Sequence, residues 1–276
     1  MSEHRDTEFI VGQVQDRYAK IARGEISGCA PVGGCCSTDQ DATSRIVGYS
    51  ADDLAALPDG ANLGLGCGAP LTFLALAPGE VVVDLDAGAG IDAFLAAARV
   101  GRTGRVIGVD MTPDMIAKAR AHAEANGFAQ VEFRLGRLEE LPVDDASVDA
   151  VTSNCVINLV PDKERVFREV ARVLKPGGRL VVSDIVLDAP LPPAIIGDVL
   201  AWAGCVAGAV DRKRYFGMLE AAGLGGLTIH RDIDYLATVI DTVPAELRAK
   251  IGAAGLEDKD LAGIVRSITY GAVKPA

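Results

Sequence analysis

The chain has 276 residues, 49% of them hydrophobic and 5% aromatic, and its formal net charge at pH 7 is −11. This acidic balance argues against nucleic acid and anionic membranes as partners, because both carry negative charge. No apolar run approaches the roughly 18–20 residues that span a bilayer, and the N-terminus lacks the apolar segment of a signal peptide. We therefore expect a cytoplasmic, monomeric protein with a core large enough for one capped α/β domain or two smaller domains.

Residues 1–78 are expected to form an N-terminal region that precedes the main fold. Apolar residues at near-helical spacing predict an amphipathic helix in this region: Ile10, Val11, Val14, Tyr18 and Ile21. Residues 28–41 are rich in glycine, cysteine and proline, a composition that is typical of a loop. A short helix is predicted at residues 50–57, because Ser50 can cap it and Asp53 follows three residues later.

Strands and helices alternate from residue 79 to residue 189. Apolar runs predict strands at residues 81–85, 105–110, 131–135, 148–153 and 179–186. Helices are predicted at residues 91–100, 114–126 and 162–174, and Thr112 and Pro113 form an N-cap and first-turn pair for the second of them. This alternation predicts an α/β fold with a doubly wound, mostly parallel sheet.

The regular alternation is lost after residue 190. Helices are predicted around residues 195–206, 212–222 and 243–262, and strands near residues 227–232 and 264–273. Residues 190–276 are therefore expected to form a smaller C-terminal α+β cap.

The turn after the first predicted strand, residues 84–90, has the composition of a cofactor site. Its small residues allow a bound molecule to approach the backbone, and Asp110, 20 residues after Gly90, is placed to bind ribose hydroxyls. The turn does not follow the G-x-G-x-x-G pattern, and Asp84 would repel the pyrophosphate of a dinucleotide. A carboxylate at this position suits a cofactor with an amino group and no phosphate, such as S-adenosylmethionine.

Six cysteines occur in the chain: Cys29, Cys35, Cys36, Cys67, Cys155 and Cys205. In a cytoplasmic protein they favour metal, metalloid or redox roles over disulfide bonds. Cys155 follows a predicted strand, at the sheet edge where open α/β folds bind ligands. If Cys67 and Cys205 fold over the same edge, three thiolates meet, which is the donor set of a soft, thiophilic centre. The alternative is that each cysteine is a small buried hydrophobic residue.

Several motifs of this chain resemble one family. Residues 79–187 are similar to class I S-adenosylmethionine-dependent methyltransferases, and residues 62–68, 106–113, 131–136 and 154–159 are similar to arsenite methyltransferases. The resemblance covers roughly residues 10–230. It implies a detoxifying enzyme that transfers methyl groups from S-adenosylmethionine to arsenite and methylated arsenicals, with glutathione or thioredoxin as the thiol reductant.

The resemblance also implies roles for individual residues. Cys67, Cys155 and Cys205 match the cysteines that bind trivalent arsenic, and Cys36, in preference to Cys35, matches the cysteine that undergoes redox cycling with the first of them. The residues expected to bind the cofactor are Asp84, Asp86, Gly88, Gly90, Asp110, Met111, Gly136, Leu138 and Asn154. Residues 1–78 then supply the substrate loop, residues 79–189 the cofactor-binding core and residues 190–276 an arsenic-binding segment.

Two positions depart from the family pattern. Asp86 replaces a glycine, adds a second carboxylate beside the cofactor and is expected to exclude the positive-φ backbone that glycine adopts. Arg137 stands where the family commonly has an acidic residue. Two alternatives follow: an arsenite-binding relative with weak or no methyl transfer, and a class I methyltransferase for a small carbon or oxygen acceptor. Methyl transfer to a thiolate-bound metalloid needs positioning and no general base, and the three histidines, His4, His122 and His230, are expected to be structural or exposed to solvent.

Overall fold

The computed structural model describes residues 2–26, 40–190, 206, 208–235, 237, 248–249, 252–253, 255, 257 and 262–276. Its first three helices are α1 (Ser2–Ala22), α2 (Gln40–Val47) and α3 (Ala51–Ala55). The predicted helices at both ends of this region are confirmed, and Ser50 and Asp53 form the expected capping box of α3. Helix α2 was not predicted, because its eight residues carry only a short apolar pattern.

The core is one seven-stranded sheet in the order β3-β2-β1-β4-β5-β7-β6. Its strands are β1 (Val81–Leu85), β2 (Arg105–Asp110), β3 (Val131–Leu135), β4 (Val148–Asn154), β5 (Leu174–Leu187), β6 (Gly225–Asp234) and β7 (Val265–Val273). Strands β1 to β5 are parallel, and β7 lies antiparallel between β5 and β6. The predicted doubly wound, mostly parallel sheet is confirmed.

Helices cover both faces of the sheet. Helices α4 (Ile91–Val100) and α5 (Pro113–Ala125) pack with one apolar cluster, and α6 (Lys163–Val173) and α7 (Arg212–Ala221) pack with the other. A short 3₁₀ helix at Ile157–Leu159 follows β4 in sequence, and another at Pro70–Thr72 contacts β4 and β5. None of the helices described combines the length and apolar character that crossing a membrane requires.

The structure differs from the sequence-based expectation at two places. Strand β5 begins at Leu174 instead of residue 179, because Leu174 already pairs with Val148 before the Pro-Gly-Gly turn causes a register shift. The strands of the expected C-terminal cap, β6 and β7, extend the central sheet beyond β5 instead of forming a separate layer. The predicted helices at residues 195–206 and 243–262 lie largely outside the described residues.

Candidate functional site

The carboxyl end of β4 brings two predicted site residues to the sheet edge. Asn154 is the last residue of β4, and Cys155 follows it with a φ of +65°, in the left-handed region that is uncommon for residues other than glycine. The Cys155 amide donates a 2.7 Å hydrogen bond to the Ser183 carbonyl of β5. This contact holds the buried Cys155 beside β5, at the point where β4 ends.

The segment that carries Cys67 is fastened to this edge by Asn154. The Asn154 Oδ1 accepts hydrogen bonds from the Cys67 and Gly68 amides at 3.1 and 3.3 Å, and its Nδ2 donates to the Gly68 carbonyl at 2.7 Å. On the other side, Ser267 of β7 donates a 2.7 Å hydrogen bond to the Cys67 carbonyl. The backbone of Cys67 is therefore fixed by side chains from both β4 and β7.

Gly68 is required by the close approach of this segment to the sheet. A Cβ atom at Gly68 would lie 2.4 Å from the Ser183 Oγ and 3.2 Å from the Thr269 Oγ1. Any larger residue would push Cys67 away from the edge.

Helix α2 supplies the next support of the same segment. The Asn62 Oδ1 accepts hydrogen bonds from the Ser44 hydroxyl at 2.8 Å and the Gly64 amide at 3.0 Å, while its Nδ2 donates to Asp41 at 2.9 Å. This role of α2 was not predicted from the sequence, where its signal was the polar Asn62 at the start of the glycine-rich motif.

Two thiols and one carboxylate meet beneath the Cys67 segment. The Sγ atoms of Cys67 and Cys155 and a carboxylate oxygen of Asp184 all lie within 4.8 Å of one another. All three residues are buried, with exposed fractions of 1%, 8% and 0%. Trivalent arsenic and other soft centres favour thiolate ligands, so this cluster is a candidate binding centre. Cys205, Cys36, Cys35 and Cys29 lie outside the described residues.

Asp184 was not predicted as a site residue. Its carboxylate accepts hydrogen bonds from Asn158 Nδ2 at 2.8 Å, from the Ile185 amide at 2.9 Å and from the Tyr215 hydroxyl at 3.0 Å. Burial raises the pKa of Asp184 to about 7. The sequence signal was a carboxylate at a central position of an otherwise apolar strand.

The predicted cofactor turn contains buried carboxylates. Asp84 is 3% exposed, and its Oδ2 has no hydrogen-bond partner among the described residues. Burial, followed by repulsion from Asp92 and Asp110, raises the pKa of Asp84 well above its usual value. Asp110 accepts hydrogen bonds from the Thr112 amide at 2.7 Å and the Gly88 amide at 2.9 Å, and burial raises its pKa as well.

Asp86 adopts the backbone conformation that it was expected to exclude. Its φ is +56°, so the expectation from the sequence is wrong on this point. Aspartate tolerates the left-handed region better than bulky residues do, because its short polar side chain can form local hydrogen bonds. The Asp86 carboxyl is hydrogen-bonded to that of Asp110 and to the Met111 amide; burial, then repulsion from Asp110, raises the Asp86 pKa. The Asp86 and Asp110 carboxyl groups are therefore close enough to raise the pKa of Asp86.

A buried network joins this turn to the thiols. The Tyr49 hydroxyl donates to both Asp92 oxygens at 3.0 Å and accepts a 2.8 Å hydrogen bond from Asn154 Nδ2. Burial raises the pKa of Asp92 to about 6. Asn154 therefore contacts both the acidic cluster and the Cys67 segment, whereas the sequence had assigned it to cofactor binding.

The other predicted cofactor residues surround the same edge. Gly88 and Gly90 have φ values of +54° and +103°, and open space surrounds the position where Gly88 would carry a Cβ. The Gly136 amide donates a 3.0 Å hydrogen bond to the Asp110 carbonyl, and the Met111 carbonyl accepts one from Gln15 of α1 at 2.7 Å. The Leu138 side chain is buried in the core.

Arg137 and the described histidine side chains make other contacts. Arg137 forms ion pairs with Glu8 of α1 at 3.3 Å and with Glu139 at 3.0 Å. His230 of β6 stacks on Phe73 with 5.0 Å between ring centroids, and His122 lies on α5 beside Gly60. These positions agree with the structural roles expected for both histidines.

Comparison with known proteins identifies methyltransferases, several of them arsenite methyltransferases. A family model described as a methyltransferase domain matches residues 76–223. The arsenite methyltransferase of Halobacterium salinarum is 45% identical to this chain over 284 aligned positions, which cover 100% of this chain and 69% of that protein. The arsenite methyltransferase of Mus musculus is 34% identical, and the aligned part covers 77% of this chain and 57% of that protein. This chain therefore spans less than two thirds of the mouse relative.

A solved structure shows the same similarity. The crystal structure of an arsenic(III) S-adenosylmethionine methyltransferase from Chlamydomonas reinhardtii matches with a TM-score of 0.62 and 30% sequence identity. The match covers 88% of this chain and 75% of that one.

Proposed function

This chain belongs to the arsenite methyltransferase family, and we propose that it transfers methyl groups from S-adenosylmethionine to trivalent arsenic held by cysteine thiolates. Its class I methyltransferase fold agrees with that membership. The observation that carries the proposal is the meeting of two buried thiols, Cys67 and Cys155, at the carboxyl edge of the sheet. The cofactor turn, which follows the carboxyl end of β1, lies at the same edge of the sheet.

We assign arsenic binding to Cys67, Cys155 and, as the third ligand, Cys205. Each thiol that reacts with arsenous acid replaces one As–OH group: an As–O bond breaks, an As–S bond forms, and the thiol proton leaves in a water molecule. Three such exchanges leave arsenic trivalent, with its lone pair directed away from the three sulfurs. This side of the reaction requires thiols at fixed positions, and Asn154 and Ser267 fix the backbone of one of them.

The cofactor turn fits S-adenosylmethionine. The unpartnered Oδ2 of Asp84 is a buried acceptor for an ammonium group, and the space beside Gly88 admits a ligand close to the backbone. Asp110, at the end of β2, is placed to bind ribose hydroxyls. When bound, S-adenosylmethionine supplies an electrophilic methyl group. The residues of this chain then contribute by orienting the arsenic lone pair toward it.

The reductant is a second part of the proposal. Arsenic is oxidised from the trivalent to the pentavalent state when its lone pair forms the bond to carbon, so each further cycle needs two electrons. A pair of thiols can supply them by forming a disulfide. We assign the external thiols to glutathione or thioredoxin and the internal redox partner of Cys67 to Cys36.

Incubation with arsenite, methyl-labelled S-adenosylmethionine and a thiol reductant tests the proposal. We expect labelled methylarsenicals, and we expect Cys155→Ser to weaken arsenite binding more than tenfold, since one thiolate ligand is lost. Cys29→Ser is the matched control, for which arsenite affinity should stay within twofold of the parent value. Melting temperatures measured in parallel separate lost ligands from lost folding.

The same assay distinguishes the alternatives. Tight arsenite binding without labelled product would identify an arsenite-binding relative, the outcome that the carboxyl pair of Asp86 and Asp110 would favour. Full arsenite affinity in a folded Cys155→Ser protein would contradict the thiolate site, and a parent chain that neither binds nor methylates arsenite would favour a carbon or oxygen acceptor.

A further inference from the structure

Asp184 is a completely buried carboxylate beside the two thiols. It lies on β5, opposite Ile268 of β7, and its exposed fraction is 0%. A carboxylate oxygen of Asp184 lies within 4.8 Å of the Sγ atoms of both Cys67 and Cys155. An atom bonded to both sulfurs would therefore carry its remaining substituents close to this oxygen.

The orientation of the Asp184 carboxylate is fixed by its neighbours. Asn158, the Ile185 amide and Tyr215 each donate a hydrogen bond to it, at 2.8, 2.9 and 3.0 Å. The Tyr270 hydroxyl in turn lies 3.3 Å from that of Tyr215, and both tyrosines are buried. Asp184 Oδ1 accepts the bonds from Asn158 Nδ2 and the Ile185 amide, Oδ2 accepts the one from Tyr215, and the Asn158 backbone contributes a further bond to the carboxylate.

A carboxylate at this position is unfavourable for folding alone. Burying a charged group costs free energy that its hydrogen bonds offset only in part, and the residues that follow Asp184 in β5, Ile185, Val186 and Leu187, are apolar. Departures from the apolar pattern of a buried strand are expected chiefly at functional sites. The network around Asp184 holds its carboxyl group in place while a ligand is absent.

We propose that Asp184 accepts a hydrogen bond from the hydroxyl group that arsenic retains after two thiols have bound it. This inference rests on the proposed function. Arsenous acid has three hydroxyl groups; the reaction with Cys67 and Cys155 breaks two As–O bonds, forms two As–S bonds and releases two water molecules. The remaining As–OH group donates to the Asp184 carboxylate until a third thiol displaces it as water. Arsenic stays trivalent throughout.

The proposal makes Asp184 a residue that distinguishes among arsenicals. Phenylarsonous acid has two hydroxyl groups and one phenyl group, so its complex with two thiols retains no hydroxyl. Asp184 then has no donor to accept from, and its contribution is confined to inorganic arsenite. A residue that only maintained the fold would affect both compounds alike.

The test compares both arsenicals in a Cys205→Ser background, where the two-thiolate complex of arsenite keeps its hydroxyl. Full-length proteins with and without Asp184→Asn are titrated with each compound, and their melting temperatures are recorded. We expect Asp184→Asn to weaken arsenite binding about tenfold, the usual size of a hydrogen bond to a charged group. Binding of phenylarsonous acid should stay within twofold.

A second measurement needs no substitution at Asp184, which protects the test if that variant does not fold. Infrared difference spectra of the Cys205→Ser protein should show a shifted carboxylate stretch with arsenite and none with phenylarsonous acid. The role of Asp184 would be overturned if Asp184→Asn weakened the binding of both arsenicals equally or left arsenite affinity unchanged. Absence of the spectral shift with arsenite would overturn it as well. Failure of the parent chain to bind either arsenical, or binding that survives Cys155→Ser, would instead overturn the proposed function.

Discussion

Replacement of Asn154 tests how the thiol site is assembled. This side chain fastens the Cys67 segment to the end of β4 through three hydrogen bonds, to the Cys67 amide, the Gly68 amide and the Gly68 carbonyl. Two further bonds from its Nδ2, to the Tyr49 hydroxyl and to Asp92, join the segment to the acidic cluster. We expect Asn154→Ala to weaken arsenite binding because Cys67 would no longer be held beside Cys155.

The magnitude follows from these contacts. A hydrogen bond contributes about 0.5–1.5 kcal/mol net, and Asn154 is only partly buried, so water can replace some of its bonds. The total loss of stability should be about 2 kcal/mol, and the fraction that appears in binding should weaken arsenite affinity about 10- to 30-fold. Asn154→Asp is the matched comparison variant. Its carboxylate oxygens can still accept hydrogen bonds from the Cys67 and Gly68 amides, whereas the bonds that Nδ2 donates are lost.

Calorimetric titration of each variant with arsenite and, separately, with S-adenosylmethionine measures the effect. We expect arsenite affinity to fall in the order parent, Asn154→Asp, Asn154→Ala, with a smaller change in cofactor affinity. The opposite pattern, unchanged arsenite binding and lost S-adenosylmethionine binding, would refute this reasoning and restore Asn154 to the cofactor site. Thermal melting of the same samples checks that each variant is folded.

Three further predictions concern the same edge. Asp86→Gly should strengthen S-adenosylmethionine binding about fivefold in calorimetry, because it removes a carboxyl group beside Asp110 and relieves a φ of +56°. Asp86→Asn removes the charge but keeps a side chain, so it distinguishes the effect of charge from that of the backbone. Equal cofactor affinity in all three proteins would show that the turn has adapted to Asp86. Asp92 has a pKa raised to about 6, so the folded state binds more protons than the unfolded state and stability falls as pH rises from about 4 to 6. Urea unfolding of Asp92→Asn should show that fall reduced by roughly 3 kcal/mol, and an unchanged pH profile would contradict the assignment. Gly68→Ala should reduce both stability and arsenite affinity, since its Cβ would lie 2.4 Å from the Ser183 Oγ. The double variant with Ser183→Gly should recover part of both in the same titrations. No recovery would show that the steric clash is not with Ser183.

The strands and helices of the core could be predicted because their signals are local. Runs of β-branched residues bounded by turn residues predicted β1, β2 and β3 with their observed bounds. The placement of β6 and β7 could not be predicted in this way. Their pairing with β5 joins residues far apart in sequence, and an isolated strand pattern does not specify its neighbour or its direction.

A residue of the candidate site could be predicted from the sequence where its position next to a strand determines its location in the fold. Cys155 follows a strand, so its location at the carboxyl edge could be expected, whereas the approach of Cys67 depends on a glycine contact with Ser183 that only the folded chain reveals. Asp184 was missed because one carboxylate in a strand has no periodic signal. Asp86 was misjudged because its side chain was treated as an obstacle, although its bond to Asp110 supports the left-handed backbone.

The distribution of charge across the sheet separates structural from functional carboxylates. At the amino edge, Glu80 pairs with Arg179 at 2.7 Å and Asp149 with Lys175 at 2.7 Å, so each acid has a basic partner. At the carboxyl edge, the ion pairs formed by the described residues include neither Asp84, Asp86, Asp110 nor Asp184, and burial raises the pKa of all four. The fold could have neutralised these groups as it did at the other edge. Lys163 is a basic neighbour that lowers the pKa of Asp184, whereas the charged neighbours that shift the pKa of Asp84 and Asp86 are other carboxylates. The retention of these acids is explained if ligands supply further partners: an ammonium and ribose hydroxyls beside β1 and β2, and a metalloid hydroxyl beside β5.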